Sequence, residues 1–203
     1  MTTLLVIARA PEPGRVKTRL VPPYSYQQAA ALAEAALADT LHTVIATPAQ
    51  HRLLVLDGSP GPWLPAGVEV VPQADGDLSD RIAAAFGAVT GPALIVGMDT
   101  PQLTPALLTV DWTSADAWFG RAFDGGFWAL GLRRPDPDLI SGVPMSTPTT
   151  GAVQHRRLIE AGLRVVDLPM LRDVDTAADA LAVARAHPDT RFARRLRTIA
   201  GDG

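Results

Sequence analysis

The sequence predicts an α/β layered fold with a mostly parallel central sheet flanked by helices. Three observations predict it. Short apolar runs suited to buried strands alternate with stretches of helical period. No linker, repeat or low-complexity tract divides the 203 residues, so a single domain over 1–203 is expected. A composition of 47% hydrophobic and 19% charged residues is that of a chain with a buried core.

The first strand is expected at Leu4 to Ala8, a continuous apolar run that gives way to a Pro/Gly-rich loop. A long Ala/Leu-rich helix lies within Gln27 to Ala46, and Arg52 to Leu56 reads as the next strand. Ser59-Pro60-Gly61-Pro62, with Pro65 and Gly67, is a loop before a short strand at Val68 to Val71. A second helix covers roughly Leu78 to Val89. Ala93 to Val96 is a buried strand opening onto Gly97-Met98-Asp99-Thr100-Pro101, and Thr104-Pro105 places an N-cap before a proline at the first helical position. Asp99 therefore stands at the C-terminal end of a strand, the edge where open α/β sheets gather ligands. Ala117 to Gly120 and Gly126 to Leu132 are strands around an Asp124-Gly125-Gly126 turn. A helix over about Gly151 to Ala161 stops at Gly162, and Arg164 to Leu168 is a late strand. Two terminal helices begin near Thr176 and Thr190, the last with Arg191, Arg194, Arg195 and Arg197 on a solvated face.

A formal net charge of −3 gives no general attraction to nucleic acid or anionic lipid, so neither is an expected partner. Zero cysteines exclude disulfides, thiolate metal sites and thiol nucleophiles. The N-terminal apolar run is too short to span a membrane and has no basic stretch before it, which makes the cytoplasm the expected compartment.

The segment richest in chemistry is Ala8-Arg9-Ala10-Pro11-Glu12-Pro13-Gly14-Arg15-Val16-Lys17-Thr18-Arg19-Leu20. Directly after the first strand it combines glycine with Arg9, Arg15, Lys17 and Arg19, the donors that can hold the oxygens of a di- or triphosphate. It lacks the glycine spacing of a Walker A loop, and by composition alone a solvated basic loop explains it equally well.

Five ordered blocks carry a resemblance: Pro13-Gly14-Arg15-Val16-Lys17-Thr18-Arg19-Leu20; Gly76-Asp77-Leu78 with Arg81; Gly97-Met98-Asp99-Thr100-Pro101-Gln102-Leu103; Asp124-Gly125-Gly126-Phe127 through Gly131-Leu132; and Leu171-Arg172-Asp173-Val174-Asp175-Thr176. Together they resemble the glycosyltransferase-like DUF2064 family, which is similar to the 2-phospholactate guanylyltransferases within the nucleotide-diphospho-sugar transferase superfamily. The resemblance implies a single-domain, Rossmann-like GT-A fold. It further implies that Ala8, Arg9, Gly14, Arg15, Lys17, Arg19, Asp77 and Arg81 bind the nucleotide, with Lys17, Arg15 and Asp99 at the reacting centre. Asp99 resembles the superfamily carboxylate that holds Mg²⁺ (or Mn²⁺), and Asp175 the second ligand, with Asp173 as its alternative. Mg²⁺ needs only one or two carboxylates when phosphate and water oxygens complete its shell.

Competing structural readings accompany these roles. Asp99 is also suited to cap its turn or the helix after it, Asp175 to cap the helix that follows it, and Asp77 to form an i,i+4 ion pair with Arg81. Ser79 stands where the family more often has Gly. Asp124, Gly125, Gly126, Phe127 and Trp128 are the acceptor-binding candidates, though the Asp-Gly-Gly is equally a hairpin turn. The family usually has Tyr where Phe127 and Trp128 stand. The hydroxyls of Met145 to Gly151 could bind an acceptor or cap the next helix. His155 reads as a surface or partly buried helix residue rather than a catalytic one, and His42, His51 and His187 are too scattered for a zinc site.

Three functions fit: nucleotidyl transfer from an NTP to a small phosphorylated or other oxyanion acceptor, glycosyl transfer from an NDP-sugar with Asp124 as candidate base, and non-catalytic nucleotide binding. The first is the leading expectation, and a homodimer is left open.

Overall fold

The computed structural model describes residues 2–201. Seven strands form one sheet: β1 (Thr3–Arg9), β2 (His51–Asp57), β3 (Glu69–Pro72), β4 (Ala93–Gly97), β5 (Ala117–Ala122), β6 (Phe127–Leu132) and β7 (Val165–Leu171), in the order β3-β2-β1-β4-β6-β5-β7. β1 pairs in parallel with β2 and with β4, in registers such as Leu4 opposite Leu94, and β5 pairs in parallel with β7. β6 alone runs against its neighbours, antiparallel to both β4 and β5. The expected α/β class with a mostly parallel sheet is the one observed.

Side-chain alternation along β1 divides the core in two, because successive residues of a strand point to opposite faces. Leu4, Val6 and Ala8 face α1 (Tyr26–Ala46), whose Leu37, Leu41 and Val44 are fully buried on them. Leu5 faces the other side, where α2 (Leu78–Gly87) brings Ile82 and Phe86, and α4 (Thr150–Glu160) brings Leu158. A leucine fully buried in this way contributes roughly 1.5–3 kcal/mol. α1 starts one residue earlier than expected, because Ser25 and Gln28 form a reciprocal capping box. α3 (Pro105–Leu108) is a single turn with Pro105 just after the cap, but the Thr104 hydroxyl makes no cap bond.

α5 (Ala177–Ala186) and α6 (Arg191–Gly201) pack against the outer face of α1 through Val183, Phe192 and Leu196. Asp39, a buried carboxylate on α1, accepts the backbone N–H groups of Arg191 (3.0 Å) and Phe192 (2.9 Å), so one helix supplies the N-terminal cap of another. Arg191 also pairs with Asp39, while Arg194 and Arg197 bond carbonyls of Asp189 and Pro188; the basic face is thus partly engaged.

β7 extends three residues past the expected Leu168. Pro169 argues for an earlier stop, but β7 is an edge strand, where a missing N–H is tolerated, and its pairing with β5 shifts register beyond Gly120. The C-terminal ends of β1, β2, β4, β5 and β7 all reach one edge of the sheet, and there the loops gather.

Candidate active site

A cavity of about 880 Å³ opens at this edge. Its walls come from the loop after β1, the start of α2, the segment after β4, the β5–β6 turn, the loop before α4 and the segment after β7. Of the residues expected to form the site, Ala8, Arg9, Arg15, Lys17, Arg19, Asp77, Arg81, Asp99, Asp124, Gly126, Phe127, Trp128 and Asp175 line it. Gly14 and Gly125 do not; they shape the loops instead.

The loop after β1 is held by its own backbone. Ala10 donates to the Asp57 carbonyl at 2.8 Å, Arg15 to Glu12 at 3.1 Å, and Gly14 takes a φ of +80°. Val16 is buried against Ala30 and Ala33 of α1, and Leu20 is fully buried deeper along the same helix. Between these anchors Lys17 adopts a left-handed backbone (φ 47°, ψ 38°), a conformation rare for a side chain of its size and found mainly at turns and functional sites. Its ammonium donates to Asp99 Oδ2 at 2.7 Å and to Asp175 Oδ1 at 2.8 Å. Burial alone would lower the Lys17 pKa; the two carboxylates outweigh it and hold the ammonium above its ordinary 10.5.

Asp99 caps neither its turn nor α3, since its carboxylate is turned to Lys17. Asp175 is not the helix cap either. Thr176 caps α5, in a box with Asp179, and Asp179 also pairs with Arg172 at 2.8 Å. The Asp175 carboxylate is thereby left for Lys17 and, at 3.4 Å, for Arg19. Asp173 lines the same cavity, and burial together with Asp99, Asp124 and Asp175 pushes its pKa up to about 7.

At the opposite end, Arg81 does not pair with Asp77. Asp77 instead caps α2, accepting from Ser79 N–H (2.7 Å) and Asp80 N–H (3.1 Å). Arg81 reaches Gly76 O, Asp57 Oδ2 at 3.2 Å and Gln73 Oε1 at 3.0 Å. Asp57 also accepts from Arg9 at 3.0 Å; burial would raise its pKa, and the hydrogen bonds from Arg9 and Arg81 outweigh this and hold it below the ordinary carboxylate value. Ser79 is fully buried, and its hydroxyl accepts Gly142 N–H at 3.2 Å.

The β5–β6 turn is locked to the loop before α4. Gly151 N–H donates to Gly125 O at 2.8 Å, and a Cβ at Gly125 would collide with the Pro148 carbonyl. Asp124 and Phe127 reach the cavity from this turn. Trp128 forms part of the wall but is 2% exposed, its indole N–H bonded to Pro169 O, so it is a core residue and not a cover over an acceptor. His155 lies away from the cavity lining, beside Asp167 and edge-on to Phe119. Ser146 and Thr147, from the segment expected to bind an acceptor or cap the next helix, line the cavity, whereas nothing in the sequence singled out Asp57 and Gln73. Asp57 closes β2 just as Asp99 follows β4, so the strand-end rule could have found it.

Among the described residues no three His, Cys, Asp or Glu side chains gather closely enough to ligate an ion by themselves. Asp99 and Asp175 nevertheless fit a Mg²⁺ or Mn²⁺ shared with phosphate: their oxygens already converge on one positive centre, and two carboxylates are what such an ion requires.

The fold recurs in solved structures. A Desulfovibrio desulfuricans G20 protein provisionally assigned as a nucleotide-diphospho-sugar transferase is 25% identical, with a TM-score of 0.88 over 98% of this chain and 95% of that one. Rv0371c of Mycobacterium tuberculosis H37Rv, in complex with manganese, is 20% identical with a TM-score of 0.57, over 91% of this chain and 97% of its own. The 2-C-methyl-D-erythritol 4-phosphate cytidylyltransferase of Thermus thermophilus is 14% identical with a TM-score of 0.53, over 93% of this chain and 100% of its own. No curated protein matches. Residues 31–147, more than half of the sequence, match one family profile, and the chain belongs to that family, the uncharacterized proteins conserved in bacteria designated DUF2064.

Proposed function

We propose that this protein is a nucleotide-dependent transferase that moves a nucleotidyl group from an NTP to a small phosphorylated or other oxyanion acceptor, with Mg²⁺ or Mn²⁺ held by Asp99 and Asp175. The observation that carries the reading is the Lys17 ammonium between these two carboxylates, in a cavity that Arg9, Arg15, Arg19 and Arg81 also line. Arg15 and Arg19 grip the phosphates, and Arg9 and Arg81 stand at the end of the cavity left for the nucleoside. An acceptor oxygen bonds to the α-phosphorus as the bond to the β-phosphate bridging oxygen breaks and pyrophosphate leaves. An oxyanion acceptor brings its own deprotonated oxygen, so no side chain has to take a proton. The bound metal would neutralise charge building on the phosphate oxygens. Lys17 then stabilises the α-phosphate, and positioning and charge compensation supply most of the catalysis.

Glycosyl transfer from an NDP-sugar is the second reading, and the provisional assignment of the D. desulfuricans protein favours it. Here an acceptor hydroxyl attacks the anomeric carbon, its proton passes to Asp124, and the nucleoside diphosphate leaves.

Titration of the purified protein against the four NTPs and common NDP-sugars, with and without Mg²⁺, separates the readings by the thermal shift of the bound state. Metal-dependent stabilisation by one NTP is expected. A selective response to an NDP-sugar would establish the second reading in its place, binding without turnover would leave a nucleotide-binding module, and no response would overturn all three.

A further inference from the structure

We infer that Lys17 holds the place of the divalent cation in the nucleotide-free protein, so that metal and nucleotide enter the site only as a pair. The inference rests on the proposed metal role of Asp99 and Asp175. An ion ligated by both carboxylates has to lie between them, and the Lys17 ammonium already lies there, at 2.7 and 2.8 Å. This is not a surface lysine that happens to touch two acids. Its side chain is 11% exposed, and its backbone is fixed in a left-handed conformation between the buried anchors Val16 and Leu20.

A metal arriving alone would have to displace an ammonium that already neutralises both carboxylates, leaving that ammonium with no anionic partner in a largely buried position. A triphosphate arriving alone would pull Lys17 away and leave Asp99 and Asp175 uncompensated beside Asp173, which lines the same cavity. With both present, Lys17 exchanges carboxylate for phosphate oxygens, and the carboxylates exchange ammonium for metal. Each ligand therefore tightens the other, and linkage makes the factor the same in both directions. Lys17 thus acts as a positioning residue for metal entry in addition to its contact with the donor.

The test is Mn²⁺ binding to the nucleotide-free protein, followed by electron paramagnetic resonance of the free ion, with thermal melts confirming that each variant folds. K17M is expected to bind Mn²⁺ at least about tenfold more tightly than the unaltered protein, while K17R, which keeps the charge, stays weak. Equal Mn²⁺ affinity in the unaltered protein and K17M, weakened in both by D99N, would overturn the inference and leave the metal assignment standing. Mn²⁺ binding indifferent to D99N and D175N would overturn both. Should K17M fail to fold, ¹⁵N NMR of the Lys17 ammonium in the unaltered protein decides. Its signal is expected to move on addition of Mg²⁺ with inorganic tripolyphosphate and to stay in place with Mg²⁺ alone; movement with Mg²⁺ alone would sink the idea.

Discussion

The backbone N–H of Val174 donates to the carbonyl oxygen of Asp99 at 2.9 Å, joining the segments that follow β4 and β7, two strands that are not neighbours in the sheet. The Val174 side chain is buried against the α1–α5–α6 cluster, so Asp173 and Asp175 on either side of it line the cavity with Asp99. Carboxylates 76 residues apart in sequence are brought together by this one crossing.

Adjacent residues in this segment should separate function from stability. D175N is expected to abolish metal-dependent nucleotide binding with little change in melting temperature. T176A removes the α5 cap and should destabilise by about 1 kcal/mol while nucleotide binding persists. Calorimetric titration and denaturant melts of the two variants check this; nucleotide binding lost only in T176A would reverse the assignment.

Two glycines with positive φ should behave differently. At Gly14 a Cβ meets nothing within 4 Å, so G14A should cost only about 1–2 kcal/mol for the left-handed backbone. G125A adds a collision with the Pro148 carbonyl to the same strain and should lose more than G14A, with the β5–β6 turn displaced from the loop before α4. Urea midpoints of both variants give the comparison.

Asp57 supplies the pH dependence. Its folded pKa lies below the ordinary 3.8, so it binds fewer protons in the folded than in the unfolded state over that interval. Its contribution to stability is therefore present above 3.8 and lost as pH falls through the folded value. D57N should be less stable than the unaltered protein at neutral pH, and the gap should narrow below pH 3.8. A gap independent of pH in urea melts would show that the charge of Asp57 is not what matters.

Asp39 tests the docking of the last helix. D39A leaves the N–H groups of Arg191 and Phe192 without their acceptor and should cost about 2 kcal/mol, with hydrogen exchange of α6 accelerating more than that of the sheet.

The strands, the helices and Asp99 were legible in the sequence because period and strand-end position are local signals. What Asp99 touches was not. Lys17 and Asp175 are 158 residues apart, and no local pattern announces that they meet. The choice between Asp175 and Thr176 as cap was ambiguous for a different reason: both are good caps and they are adjacent, so only the geometry assigns the job to Thr176. Arg81 misled in the same way, since its i−4 neighbour Asp77 is an obvious partner on a helix while its actual partners are Asp57, which ends β2, and Gln73, which follows β3.

The reversal of β6 has an effect on the division of labour in the site. Its first residue, Phe127, emerges at the same rim where β1 and β4 finish, so the chain visits that rim twice within a few residues, once leaving β5 and once entering β6. A crossover connection to a parallel strand would have carried the chain to the far side before returning. The hairpin instead sets a short turn, held by the loop before α4, on the same cavity as the cationic loop. On the proposed function, changes to residues 123–126 should alter acceptor preference while the loop after β1 and the sheet beneath it keep their structure.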